Sequence, residues 1–90
     1  MIYKRVDQNQ KAIVKALRSV GVFVSDTHAV GHGHPDILTY SARFGWIPME
    51  VKSDGGELTP DEQDWWIASG TTPIIVRSIR EALAYHGIAI

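Results

Sequence analysis

Two carboxylates and one lysine are the residues of this sequence best placed to carry out chemistry. Asp36 follows a proline, and Glu50 and Lys52 are separated by a single residue. Two carboxylates held side by side resist ionisation, and a divalent cation removes that penalty. Because the chain has no cysteine, oxygen ligands favour Mg²⁺ or Mn²⁺. A lysine beside such a cation can orient or deprotonate a water, or stabilise developing charge, so the set suits hydrolysis of a phosphodiester bond.

A predicted β-hairpin brings these three residues together. The sequence predicts strands over 36–41 and 46–52, joined by an Arg-Phe-Gly turn whose glycine can supply a positive φ. One centring of the turn places Asp36 opposite Lys52, and another places it opposite Glu50. Side chains alternate along a strand, so Glu50 and Lys52 share a face in either register. The residues that alternate with them face a helix: Ile47, Met49 and Val51.

The N-terminal third predicts a helix, a short strand and a loop. The helix spans 8–20, with Asp7 as N-cap and Gly21 as its end. Its apolar residues recur at helical spacing: Ile13, Ala16, Leu17 and Val20. A strand over 22–24 follows, and then a loop over 25–35 that is rich in histidine and glycine.

The C-terminal part predicts two capped helices around one strand. Thr59 and Glu62 form a capping box, with Pro60 between them, that opens a helix running to about residue 69. A strand follows over 73–76, and a second box, Ser78 with Glu81, opens a helix to about residue 86. The order α-β-β-β-α-β-α predicts one α/β domain over residues 1–90, with a mixed four-stranded sheet flanked by helices.

Composition and charge limit the class of protein. Ninety residues that are 44% hydrophobic and 21% charged are typical of one globular domain. No apolar run approaches the ~20 residues of a membrane span, and the first residues do not resemble a signal peptide, so we expect a cytoplasmic protein without a membrane partner. Net charge is only −1, yet 1–20 hold five basic residues against one acidic residue, whereas 26–64 hold eight acidic against two basic. This asymmetry suits an enzyme that holds phosphates with one surface and a cation with another, but charge alone favours plain solvation of the helix and the loops.

Two short motifs surround the three residues: G-H-P-D-I at 33–37 and E-V-K at 50–52. They resemble the signature of the virus-type replication-repair nuclease (VRR-NUC) domain, here of the small stand-alone phage or bacterial type, within the PD-(D/E)xK nuclease superfamily. The likeness spans residues 10–83 and implies a restriction-endonuclease-like core. Its further matches follow in the family's order: Gly55-Gly56, Leu58-Thr59-Pro60 with Gln63, residues 74–78, and Glu81-Ala82.

The resemblance implies a role for each matching residue. Asp36 and Glu50 would bind the metal together with the backbone carbonyl of Val51. Lys52 would be the catalytic lysine. Gln63, on the following helix, would reach back to position the lysine, the water or a phosphate.

The first helix is where the sequence departs from related nucleases. Those nucleases often carry an acidic residue at the position where this chain has Gln10. This chain has an acidic residue, Asp7, one helical turn earlier. Whether the site binds a second metal ion, with the help of Gln10 or Asp7, therefore stays an open question. His34 adjoins the site and is a further candidate for substrate contact. The basic face of the helix is the candidate DNA-binding surface: Lys11, Lys15 and Arg18.

The resemblance implies a Mg²⁺- or Mn²⁺-dependent, structure-specific DNA endonuclease of DNA repair that needs no nucleotide or organic cofactor. It would work in a bacterial cell or a phage-infected host. A homodimer suits paired cuts in a four-way (Holliday) junction, because a two-fold axis relates two equivalent sites.

Several other interpretations stay open at this stage. The same chemistry would serve flap, nicked or single-stranded DNA, and a catalytically silent DNA-binding module would keep the fold alone. His28, His32 and His34 suggest a zinc site, although no fourth ligand is evident. Trp65 and Trp66 are adjacent, so we expect only one of them to pack inward.

Overall fold

The computed structural model describes the backbone of residues 2–90 and the side chains of residues 9–90. The predicted order α-β-β-β-α-β-α is confirmed, with a short 3₁₀ turn at His28–Val30 in the predicted loop. The first and last residues of every strand lie within two positions of the predicted ones. The elements are α1 (Ile2–Ser19), β1 (Phe23–Asp26), β2 (Ile37–Ser41), β3 (Gly45–Val51), α2 (Pro60–Ser69), β4 (Ile75–Val76) and α3 (Ile79–Tyr85).

The four strands form one mixed sheet in the order β1-β2-β3-β4. The first three strands are antiparallel neighbours, and β4 pairs parallel to β3 after the crossover through α2. The predicted fold class is therefore confirmed. In the part of the chain that the structure describes, no helix combines the length and apolarity that a bilayer crossing requires.

The first helix begins earlier than the sequence predicts. It starts at Ile2, so Asp7 lies within the helix and is not its N-cap. Residues 2–7 hold neither glycine nor proline, and extending a helix costs less than starting one. Val20 was predicted on the apolar face of this helix, but it follows the last helical residue and is exposed.

The core lies between the sheet and the pair α1 and α3. Met49 and Val51 of β3 turn to this face and are buried with apolar residues of both helices. Buried His86, at the end of α3, contacts Thr39 Oγ1 through Nε2 (2.7 Å) and Ser41 Oγ through Nδ1 (2.6 Å), and burial lowers its pKa. The largest contributors to the core are Ile13, Leu17, Ile37, Met49, Val51, Val76 and Leu83.

The β2–β3 hairpin adopts one of the two expected registers. Ile37 pairs with Met49 and Ser41 with Gly45, so the next position along places Asp36 opposite Glu50. Gly45 has the expected positive φ of 75°.

The helix α2 begins on the opposite face of the sheet from α1 and α3. Glu50 alternates with Met49 and Val51, and its carboxyl interacts with Glu62 in the first turn of α2. The predicted capping box is present, with Glu62 N donating to Thr59 Oγ1 and Thr59 N donating to Glu62. Trp66 is buried and Trp65 is half-buried, as predicted for this pair.

The second predicted capping box is only half formed. Ser78 Oγ accepts the N–H of Glu81, as predicted. The Glu81 carboxylate, however, accepts the N–H of Arg77 (2.6 Å) and does not return to Ser78, because Arg77 N–H is also within reach of that carboxylate.

The loop before Asp36 fits closely against α2 at Gly33. This glycine has a φ of 78°, and a Cβ there would overlap the backbone of Asp61. Gly33→Ala is expected to destabilise the protein by about 2–4 kcal/mol, from left-handed strain plus the overlap. Gly55→Ala is the matched control, because Gly55 has the same φ and open space around it. Urea denaturation of both variants measures the difference, and an equal loss would contradict the close fit.

Candidate functional site

Asp36 lies immediately before β2 and reaches across to β3. Its Oδ2 accepts the backbone N–H of Val51 at 2.8 Å. Because the N–H and C=O of one strand residue point to the same side of the strand, the Val51 carbonyl is directed toward Asp36 as well. Asp36 and the Val51 carbonyl thus form one group of oxygen atoms at the end of the hairpin.

Glu50 is the most unusual residue of the site. It is 0% exposed, and neither carboxyl oxygen accepts a hydrogen bond from an N–H donor of the described residues. Its polar neighbours are the carboxyls of Asp36 and Glu62. Burial first, and the neighbouring carboxyls of Asp36 and Glu62 second, raise the pKa of Glu50 to about 9. The metal-free protein therefore holds Glu50 as a neutral carboxyl at neutral pH. A buried carboxyl surrounded by other carboxyls is costly to ionise, and a cation beside it would remove that cost.

Lys52 is held at the site by a residue of α2. Its Nζ donates to Glu62 Oε1 at 2.8 Å, and both side chains are largely shielded from solvent. The same Glu62 oxygen accepts the N–H of Thr59 at 2.9 Å. Burial alone would raise the pKa of Glu62, but the bonds from Lys52 and Thr59 outweigh it and the pKa is lowered. Glu62 is thus ionised beside the lysine.

Glu62 is the site residue that sequence reasoning missed. The capping box explains Glu62 by local structure alone, and Glu50 and Lys52 are far from it along the chain. Only the crossover from β3 through α2 to β4 brings the three together. The signal that could have revealed it is the position of this acid in the first turn of the helix that follows the E-V-K strand.

Gln63 does not contact Lys52, which is one of the roles that the resemblance implies for it; its role toward a water or a phosphate stays a prediction. Its side chain is exposed and Nε2 donates to the carbonyl of Leu58 at 3.3 Å. The position beside Lys52 is held by Glu62, one residue earlier. Consecutive helix residues point about 100° apart, so the two side chains cannot occupy the same place.

His34 packs beside the site without joining it. Its ring lies 5.6 Å from the Trp65 ring, and Nδ1 is 3.0 Å from the Pro35 carbonyl. His28 interacts instead with Asp26. Among the described side chains, no group of three His, Cys, Asp or Glu residues is arranged to hold a metal ion, so the three loop histidines do not converge as zinc ligands.

Gln10 and Asp26 form a second polar cluster, on the α1 side of the sheet. Buried Gln10 donates through Nε2 to Asp26 Oδ1 at 3.0 Å, and the same oxygen contacts the N–H and Nδ1 of His28. Burial opposes ionisation of Asp26, but its hydrogen bonds lower its pKa. Gln10 is therefore engaged with Asp26, which sequence reasoning did not select. The side chain of Asp7 lies outside the described residues.

The basic face of α1 borders a groove beside β1. Its three basic residues are exposed, and together with Val14 and Asp26 they line a groove of about 340 Å³. Arg18 also donates to the carbonyl of Val24 at 2.9 Å, which fixes its position. The predicted row of Lys11, Lys15 and Arg18 is thus brought together on one accessible surface.

Comparison with known proteins adds no identification. No protein-family model, no curated protein and no solved structure matches this chain.

The raised pKa of Glu50 predicts a pH-dependent effect of removing its charge. The folded pKa of about 9 exceeds the ordinary value of 4.5, so the stability linked to this group is complete below pH 4.5 and is lost as pH rises toward 9. Glu50→Gln, which is neutral throughout, is expected to stabilise metal-free protein more at pH 8 than at pH 5. Urea denaturation in the presence of chelator measures this difference.

The matched control is Glu57→Gln, at an exposed glutamate of the following loop. This variant is expected to track the wild type at both pH values. A stability gain in Glu50→Gln that is the same at pH 5 and pH 8 would contradict a neutral buried carboxyl.

Proposed function

We propose that the protein is a metal-dependent DNA endonuclease, similar to VRR-NUC domains, that hydrolyses phosphodiester bonds in branched DNA. The observation that supports this most is the buried Glu50 carboxyl, which accepts no hydrogen bond from an N–H donor of the described residues and has the carboxyls of Asp36 and Glu62 as its polar neighbours. A protein gains nothing in stability from such a group. Its presence is explained if the protein binds a cation there.

The oxygen ligands at this position fit Mg²⁺ or Mn²⁺. Asp36, Glu50 and the Val51 carbonyl would hold the ion. Mg²⁺ commonly uses one or two carboxylates and completes its coordination with water and substrate phosphate, so a cluster of three acidic side chains is not required. When bound, the ion lowers the pKa of a water and neutralises phosphate charge.

Lys52 would act directly on the reacting groups. An ammonium has three N–H donors, and the contact with Glu62 uses one. The other two can donate to the attacking water or to a phosphate oxygen as negative charge develops. Glu62 is a positioning residue, because it fixes Lys52 and caps α2 at the same time.

The reaction is an ordinary hydrolysis. The water oxygen forms a bond to phosphorus, the bond from phosphorus to the 3′ oxygen breaks, and the water proton passes to solvent. The 3′ oxygen takes up a proton, which leaves a 3′-hydroxyl and a 5′-phosphate. The basic groove along α1, lined by Lys11, Lys15 and Arg18, would hold DNA phosphates beside the sheet.

The form of this function that we favour is a homodimer that cuts four-way junctions in the cytoplasm of a bacterium or an infected host. Two sites related by a two-fold axis can address two strands of a symmetric junction. A chain of 10.0 kDa is also small for contacting several arms of DNA. Flap, nicked or single-stranded DNA are alternative substrates for the same site.

The decisive experiment is cleavage of an end-labelled four-way junction with Mg²⁺, Mn²⁺ or chelator. The wild type is expected to make symmetric nicks that require metal. Lys52→Ala is expected to lower the rate at least ~100-fold, the usual effect of losing a group that assists proton transfer or stabilises charge. Arg80→Ala, at an exposed cation of α3, is the control and is expected to cleave like the wild type.

Each contrary outcome of this experiment identifies a different error. Metal-independent cutting, or full activity in Lys52→Ala, would contradict the proposed site. Equal cutting of linear duplex would contradict the junction preference, and selective cutting of flap, nicked or single-stranded controls would favour those substrates. Binding without cleavage of any DNA would favour a catalytically silent module.

A further inference from the structure

Three aromatic side chains form an exposed row across the sheet. Phe23, Tyr40 and Trp46 occupy paired positions on β1, β2 and β3. The Trp46 ring lies 6.0 Å from that of Phe23 and 4.8 Å from that of Tyr40. The three residues are 56%, 38% and 59% exposed, so the row is a connected aromatic surface in contact with water.

This aromatic row lies on the open part of the Glu50 face. Val24, Thr39 and Ile47 alternate with it and turn to the core side. The next row of paired positions, toward Glu50, consists of half-buried Ser25, Leu38 and Pro48. The six positions of the two rows hold no charged residue.

Such a surface is typical of contact with protein rather than nucleic acid. Tyr, Trp and Phe are enriched and charged residues depleted at the centres of protein interfaces, and a connected exposed apolar patch of a few hundred Å² is often functional. Aromatic platforms for single strands instead combine stacking with a positively charged groove. The basic groove of this protein lies on the α1 side of the sheet, away from the aromatic row.

We infer that the aromatic row is the surface through which two copies of this chain associate. A two-fold interface places one patch against itself, and a charged group near the axis would lie close to the same charge of the second copy. A patch without charge avoids that repulsion. This inference deepens the proposed function, which calls for a dimer but does not depend on any particular surface.

The size of the row fits the centre of such an interface. A fully buried aromatic side chain covers ~150–250 Å². The three side chains of the row are each about half exposed, so together they offer roughly 300 Å² of surface that a partner could bury. A standard interface buries ~800 Å² on each partner, with an apolar centre and a polar rim. Glu50 lies four strand residues beyond Trp46, ~13 Å at the usual rise, so contact at the row leaves the catalytic end of each sheet accessible.

Sedimentation equilibrium without DNA or metal tests this assignment. The wild type is expected to have twice the 10.0 kDa mass of the chain. Trp46→Ser and Phe23→Ser are each expected to weaken dimerisation at least ~30-fold, as for one interface hot spot. Tyr85→Ser removes an exposed aromatic of α3 and is expected to leave the dimer unchanged. Circular dichroism and unfolding midpoints check that the variants fold.

The outcomes separate this inference from the proposed function. A monomeric wild type, or row variants with unchanged dimerisation, would overturn the inference. It would also be overturned if Trp46→Ser weakened single-stranded DNA binding without changing the oligomeric state. A dimer that requires the row but has no nuclease activity would support the surface and contradict the function. A monomer with nuclease activity would support the function and contradict the surface.

Discussion

The mutual repulsion of three carboxyls around one buried position is the constraint on which this site depends. Glu50 is buried between Asp36 and Glu62, and the metal-free protein accommodates it by keeping it neutral. Lys52 compensates only Glu62, with which it pairs directly. Asp36 is stabilised by the N–H of Val51. The only described polar neighbours of Glu50 are these two carboxyls, which makes it the position at which a cation would change the electrostatics most.

The fold supplies this arrangement by joining two independent elements. The β2–β3 hairpin sets Asp36 opposite Glu50, and the crossover into β4 carries α2 over the same face, so that Glu62 reaches Lys52. The close approach of Gly33 to Asp61 fixes the loop before Asp36 against the start of α2. The core of α1 and α3 lies on the other face. The sheet is therefore packed on one side and holds polar chemistry and an aromatic surface on the other.

Local signals predicted much of this arrangement. The period-two pattern and short turn indicated that Asp36 and Glu50 converge, and Thr59 with Glu62 marked the start of α2. The start of α1 was misplaced, because no residue before Asp7 breaks a helix. Glu62 and Asp26 were missed because their partners, Lys52 and Gln10, are distant in sequence. By resemblance Gln63 was expected to position the lysine, the water or a phosphate, but whether its side chain reaches Lys52 depends on how α2 packs on the sheet.

Titration calorimetry with Mn²⁺ tests the central claim most directly, because it detects the cation at Glu50 whether or not the DNA substrate is correct. Wild-type protein is expected to bind Mn²⁺, and Glu50→Gln is expected to lower the affinity at least ~10-fold, the order of effect seen when a metal site loses supporting groups. Glu57→Gln is expected to bind like the wild type. No binding to the wild type, or equal binding to Glu50→Gln, would contradict the account.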